Sequence, residues 1–252
     1  MRQFITFIIA IIVISCKNEP ETKTLRAEDI INNAIEVSGG KKFNNSIIRF
    51  DFRDRYYKAR RDKGQFSFIR IFVQGKDSIF DLLNNTSFER TINKNKVILS
   101  DSLVKSYSAS VNSVHYFSVL PYGLNDKAVN KTLIGEEKIQ GLDYYKIEVT
   151  FNEEGGGEDF DDVFVYWVNK NTFKPDYLAY SYNENDGKGM RFRKAYNERY
   201  RNGIRIVDYD NYKPKDTTIM LRELGAAFEG NQLQLVSKIE LKNVSVDLIN
   251  LQ

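Results

Sequence analysis

From residue 45 onward the chain is written mostly in a two-residue rhythm. Ile48, Phe50 and Phe52 alternate with Arg49, Asp51 and Arg53, which predicts a strand with one dry face and one wet face. Phe66, Phe68 and Phe72 continue the pattern in 65–73, and Gly75-Lys76-Asp77 marks a turn. Segments 78–83, 86–92 and 96–100 are separated by Asn84-Asn85 and Asn93-Lys94-Asn95, as in a meander of hairpins. The rhythm returns in 131–138, 142–151, 162–169, 176–183, 189–200 and 204–212, with a last strand pair expected in 231–249. Asn202-Gly203 is the strongest two-residue hairpin signal in the chain.

Two stretches follow a helical period instead. In 27–37, Ile30, Ile31, Ala34, Ile35 and Val37 fall near one stripe, and Ser38-Gly39-Gly40 ends them. In 102–120, Leu103, Val104, Tyr107, Val111, Val114, Phe117 and Val119-Leu120 recur at helical spacing after Asp101, a candidate cap, and Pro121-Tyr122-Gly123 closes the run, as one helix or two short ones. A short helix is also expected in 218–227. About eleven strands joined by tight turns imply antiparallel pairing, because parallel strands need long crossovers. No internal repeat and no linker interrupts 27–252, so one domain is expected there.

Residues 1–16 have a different grammar. Behind Arg2, positions 4–14 are apolar apart from Thr6 and uncharged, the pattern of a secretory signal and too short for a spanning helix of about 20 residues. Val13-Ile14-Ser15-Cys16 resembles the lipobox of bacterial lipoproteins, in which the signal is cut before a cysteine that carries diacylglycerol. The resemblance implies lipidation at Cys16, the sole cysteine. Residues 17–26 are polar and contain Pro20, as a flexible tether would be. Lys17 stands where an aspartate would hold such a protein at the inner membrane, so the resemblance implies a cell-envelope protein anchored by lipid at the outer membrane.

The order of elements carries a second resemblance. An N-terminal amphipathic helix, a meander, a central helical insertion ending at Leu120-Pro121 and a longer meander resemble the LolA-like lipoprotein-carrier superfamily. Residues 141–149 and 163–175 look like its recurring strand, turn, strand core. That likeness implies a mostly β fold with some α: a curved antiparallel half-barrel whose concave apolar face is closed by the N-terminal helix and a central helical lid. More closely, the chain resembles uncharacterised envelope lipoproteins of that superfamily.

Composition narrows the function classes. Apolar residues make up 42% of the chain and aromatics 13%, enough for a large core. Formal charge is only +3, from 37 basic and 34 acidic residues, so no general attraction to nucleic acid is expected. With a single cysteine and a single histidine, neither an intramolecular disulfide nor a His/Cys metal site can form within the chain. His115 lies in an apolar helical stretch with no Gly-x-Ser-x-Gly elbow, as a structural histidine rather than a catalytic base would. Glu158, Asp159, Asp161 and Asp162, beside Gly155-Gly156-Gly157, are candidate oxygen ligands for calcium, although such acidic runs are ordinarily solvated loops. Arg53, Arg55, Arg60, Arg61, Arg191, Arg193, Arg199 and Arg201 are expected on the outer face of the sheet.

The aromatic positions Phe50, Phe52, Phe66, Phe68, Tyr145, Phe164, Tyr166, Trp167 and Phe192, with Phe151 and Tyr180, are the candidate lining of the concave face. A curved sheet leaves space that side chains or a guest must fill. The expected function is therefore a non-catalytic, cofactor-free binding lipoprotein that takes an acyl chain, of a lipid or a lipoprotein. A protein-interaction or stress-sensor lipoprotein with a closed core is the alternative, and a hydrolase a remote third.

Overall fold

The computed structural model describes residues 25–155, 160–184 and 187–249. The signal, the lipobox at Cys16 and almost all of the tether lie outside these residues. Among the described residues no helix is long and apolar enough to cross a membrane.

The expected class holds: a mostly β, antiparallel fold with an N-terminal helix and a central helix. Helix α1 (Ala27–Ser38) buries Ile30, Ile31 and Ala34, and ends where Gly39 takes φ +141°, beyond the ordinary range of a residue with a Cβ. The meander β1 (Asn45–Phe52), β2 (Arg55–Asp62), β3 (Gln65–Gln74), β4 (Asp77–Asn84), β5 (Phe88–Ile92) and β6 (Asn95–Lys96) follows. Helix α2 (Asp101–Phe117) comes next. A second meander runs through β7 (Val129–Ile139), β8 (Leu142–Phe151), β9 (Phe164–Asn169), β10 (Pro175–Glu184), β11 (Gly187–Arg201) and β12 (Ile204–Pro214). Helix α3 (Leu224–Glu229), β13 (Leu233–Ile239) and β14 (Lys242–Leu248) complete the fold.

The strands form two seven-stranded sheets, in the orders β14-β1-β2-β3-β4-β5-β6 and β13-β12-β11-β10-β9-β8-β7. This differs from the single sheet of about eleven strands expected from turn spacing. One difference is β2. Its inward positions are Tyr57, Ala59 and Arg61, so the segment carries no apolar alternation for a sequence reading to find. A second difference lies at the C-terminus. The strands of 231–249 are not a hairpin: β13 pairs with β12 and β14 with β1, so the chain changes sheets at residues 240–241. The segment expected as a strand at 96–100 shrinks to β6, and Ile98 is left in solvent. Ser100, not Asp101, caps α2 by accepting the amide of Leu103.

Polar side chains hold the crossing between sheets. Asp208 on β12, 2% exposed, accepts the amide of Leu241 at 3.0 Å, Nη2 of Arg199 at 3.0 Å and Nδ2 of Asn197 at 2.6 Å. A bulge between Tyr196 and Arg199 brings both β11 donors to it, with Asn197 left-handed at φ 50°. Arg199 also donates to the Leu241 carbonyl at 2.6 Å, and Asn202 to that of Val246 at 2.7 Å. In the first sheet, Asp81 is fully buried between Arg70 and Arg90, at 2.7 and 2.6 Å.

Strand β9 is buried on both faces. Phe164, Tyr166 and Val168 point into a core with Ile30, Ile31 and Leu124. Val165 and Trp167 point the other way, under Leu224 and Ala227 of α3. A third cluster joins the sheets, with Ile48, Phe50 and Tyr57 against Ile204, Ile206 and Val246.

Replacing Asp208 with alanine strands the Arg199 guanidinium and the Leu241 amide. The Asp208→Ala variant is expected to lose about 3–5 kcal/mol, as when one partner of a buried ion pair is removed; urea unfolding followed by circular dichroism measures it.

Candidate functional site

Helix α2 lies on the first sheet, and one of its sides faces the second. Between them is a cleft of about 450 Å³, within the range of about 300–1,000 Å³ common for small-molecule sites. Val114, Phe117 and the serines Ser113 and Ser118 form the helix wall. The sheet wall comes from Tyr180 on β10, Val207 and Tyr209 on β12, and Ile239 on β13. Phe52 and Leu241, at the ends of the seam between sheets, close one side.

The charged groups of this cleft are cationic, beside the neutral Ser113, Ser118, Asn211 and Ser237. Arg53, Arg191 and Arg193 line it, and no carboxylate does. Arg193 is 8% exposed. Its guanidinium lies 4.1 Å from the Phe117 ring centre and 4.9 Å from that of Tyr180, and Nη2 donates to the Tyr180 hydroxyl at 2.8 Å. Its Nε has no hydrogen-bond partner, and no described carboxylate lies within ion-pair distance. Arg191 donates to the carbonyl of its neighbour Met190 and packs on Tyr182. Buried charge without a counter-charge is costly unless hydrogen bonds or a ligand meet it. An apolar chamber with unpaired guanidinium groups has the chemistry to hold an amphiphile with an anionic end.

The family model described as "Family of unknown function (DUF6503)" matches residues 2–241. The chain belongs to this family. No curated protein matches it. It is similar to a LolA superfamily protein from Nitrosomonas europaea, at 13% identity over 90% of this chain and 94% of that one, with a TM-score of 0.49. It is equally similar to a DUF1329 family protein from Desulfovibrio piger, at 13% identity over 89% and 94%, with a TM-score of 0.49. Lipoprotein LppX from Mycobacterium tuberculosis is similar at 10% identity over 64% and 88%, with a TM-score of 0.28. The fold itself is read from the strand order above.

In this DUF6503 chain the expected aromatic lining is dispersed. Phe52 reaches the cleft, as does Tyr180, whereas Phe66 and Phe68 line a separate pocket beside α2. Phe50 is closed into the core between the sheets. Phe164 and Tyr166 are sealed against α1, with Tyr145 and Phe151 at the margin of the same core. Trp167 and Phe192 lie on the opposite face: Phe192 stacks on Phe228 of α3 at 5.1 Å, and Trp167 Nε1 donates to Glu137 at 2.7 Å. Adjacent residues on a strand cannot share a face, so Tyr166 and Trp167 were never partners in one cavity. The same rule could have placed Arg193. With Phe192 turned toward α3, Arg191 and Arg193 must face the interior, not the outer surface expected for them. Arg61 is likewise buried rather than outward, and Arg199 turns in to Asp208.

Of the acidic loop, Glu158 and Asp159 lie outside the described residues. Asp161 accepts a hydrogen bond from Asn183, and Asp162 is also described. Among the described residues, no group of three His, Cys, Asp or Glu side chains is placed to hold a metal ion.

His115 is fully buried, with Phe50, Tyr57 and Phe68 around its ring. Its Nε2 donates to the Ile69 carbonyl at 3.2 Å. Burial, then the nearby Arg61, lowers its pKa to about 3. The unfolded chain, with an ordinary imidazole near 6.5, therefore binds more protons between pH 3 and 6.5, and stability rises with pH across that window. Between pH 7 and pH 5 the native protein is expected to lose about 2 kcal/mol that His115→Phe does not lose. Paired urea titrations at the two pH values check this, and equal losses would show that His115 does not set the slope.

Proposed function

We propose that this protein is a non-catalytic binding lipoprotein of the bacterial cell envelope, and that its cleft holds the acyl chain of an anionic lipid or lipoprotein. The observation that carries the reading is the cleft itself: apolar walls of Val114, Phe117, Val207 and Ile239, with arginines and no carboxylate among its polar groups. An acyl chain gains from leaving water along such walls, at about 0.8 kcal/mol per buried CH₂. An anionic head beside Arg191 and Arg193 would meet guanidinium donors, whose planar fork suits a phosphate or carboxylate.

The lipobox supports the location. A lipidated Cys16 would hold the domain at a membrane surface, since two or more acyl chains anchor stably where one alone does not. Lys17 favours the outer membrane. The tether of residues 17–26 would let the cleft mouth meet that surface.

Lipid extraction and native mass spectrometry of the protein from its own envelope test the reading. An acyl lipid or lipopeptide is expected to co-purify, and Ile239→Trp, which fills the cleft, is expected to abolish its uptake. Arg193→Met is expected to weaken binding of a long-chain fatty acid about tenfold, near 1.4 kcal/mol, while sparing the matching fatty alcohol. A bare wild-type mass with no uptake of added acyl lipids would overturn the proposal and leave a partner-binding lipoprotein.

A further inference from the structure

A second space lies on the other side of α2, bounded by the β2–β3 turn and the segment after the helix. Its volume is about 420 Å³. Arg61 of β2 lines it and is 7% exposed. The position is unusual for a guanidinium. Arg61 packs on two aromatic rings, 4.9 Å from the centre of Phe68 and 5.5 Å from that of Tyr122. Its side chain makes no hydrogen bond and no ion pair with any described residue, and Nη1 is shielded from solvent without a partner. By contrast, the buried Arg70 and Arg90 share Asp81, and Arg205 reaches Glu198 and Asp176.

The pocket leaves space beside Arg61 for a partner that the described residues do not provide. Gln65 and Asn112 sit exposed at its rim, and their side chains are not committed to any other hydrogen bond. Asn85 is engaged at both ends by the backbone of Phe66 and Gly64, and Asn44 accepts from the Tyr122 hydroxyl through its Oδ1. The one carboxylate of the lining, Asp126, makes no ion pair with Arg61. Burial pushes its pKa up, against the opposing charge of Lys131. The rings of Phe66 and Phe68 form an apolar wall next to the cation.

We propose that this pocket is a second binding site, specific for a compact oxyanion (a phosphate monoester or a carboxylate) held by the Arg61 fork with Gln65 and Asn112 as rim donors. Pairing would be bidentate, the geometry in which arginine recognises planar or tetrahedral oxyanions best. The aromatic wall favours an anion on a flat or compact body over a free inorganic ion. Burial works in the same direction: it lowers the Arg61 pKa to about 10, and a bound anion would reverse that cost. The site is independent of the acyl cleft, since α2 stands between them.

Isothermal titration of the full-length chain in an uncharged detergent tests this, with phenyl phosphate, benzoate and inorganic phosphate as separate probes. Saturable binding of phenyl phosphate or benzoate is expected, tighter than that of inorganic phosphate, and the stronger of the two assigns the group. Arg61→Met, of similar length and apolar, is expected to weaken it at least tenfold while melting no lower than the wild type, because an unpaired buried charge has been removed. Phe66→Trp, which crowds the wall without touching the charge, is expected to weaken the ring-bearing probes more than inorganic phosphate. No saturable binding by any probe, or equal binding in Arg61→Met, would overturn the assignment. So would loss of binding in Arg193→Met, which would move the anion to the cleft.

Discussion

Asp208 fixes where the chain passes from one sheet to the other. Its carboxylate receives the Leu241 amide, at the point where β13 ends in the second sheet and the chain turns to join the first as β14. The Arg199 guanidinium ties the same turn through the Leu241 carbonyl. A peptide group leaving a sheet edge has lost its ladder partners, and a buried crossing needs them replaced. Here a carboxylate and a guanidinium, each satisfied by the other, do so. Leu241 and Ile239 flank that turn and also face the cleft, so the geometry of the seam is also the geometry of the candidate site.

With the sheets joined in this way, α2 becomes a partition. Its inner side is bound to the first sheet through Val111, His115 and the Arg70–Ser110 hydrogen bond. To one flank lies the apolar cleft with Arg193; to the other, the smaller pocket with Arg61. Both spaces place guanidinium groups against aromatic rings without a carboxylate partner. The molecule's other buried arginines show that pairing was available: Asp81 and Glu198 serve that purpose elsewhere. Unpaired cations on both flanks of one helix are the feature that sets this fold apart from a closed core, and it is why anionic ligands are proposed for each.

Strand β9 explains why the expected lining is spread among several environments. It is covered on one face by α1 and the segment after α2, and on the other by α3. A strand with one dry face hides half its side chains, whereas β9 hides all of them. Its aromatics are therefore filling for two cores, and the open cleft lies instead along β10 to β13, where the cover is only partial.

Much of this was legible in the residue pattern. Alternation at Ile48, Phe50 and Phe52, the helical stripes at Ile30 to Ile35 and Val111 to Phe117, and the Asn202-Gly203 turn each depend on contacts a few residues apart, and local periodicity reports local structure. The antiparallel class follows from those elements and their short connections. What stayed hidden is non-local. Segment 55–62 reads as charged, and only packing against Phe68 and Tyr122 turns Arg61 inward. Nothing in 231–249 says that its two strands serve different sheets, because that choice is made by Asp208, some thirty residues earlier. The sequence by itself determined the period of each element and hence which residues share a face; the tertiary structure alone decided what each face meets, since burial depends on partners distant along the chain.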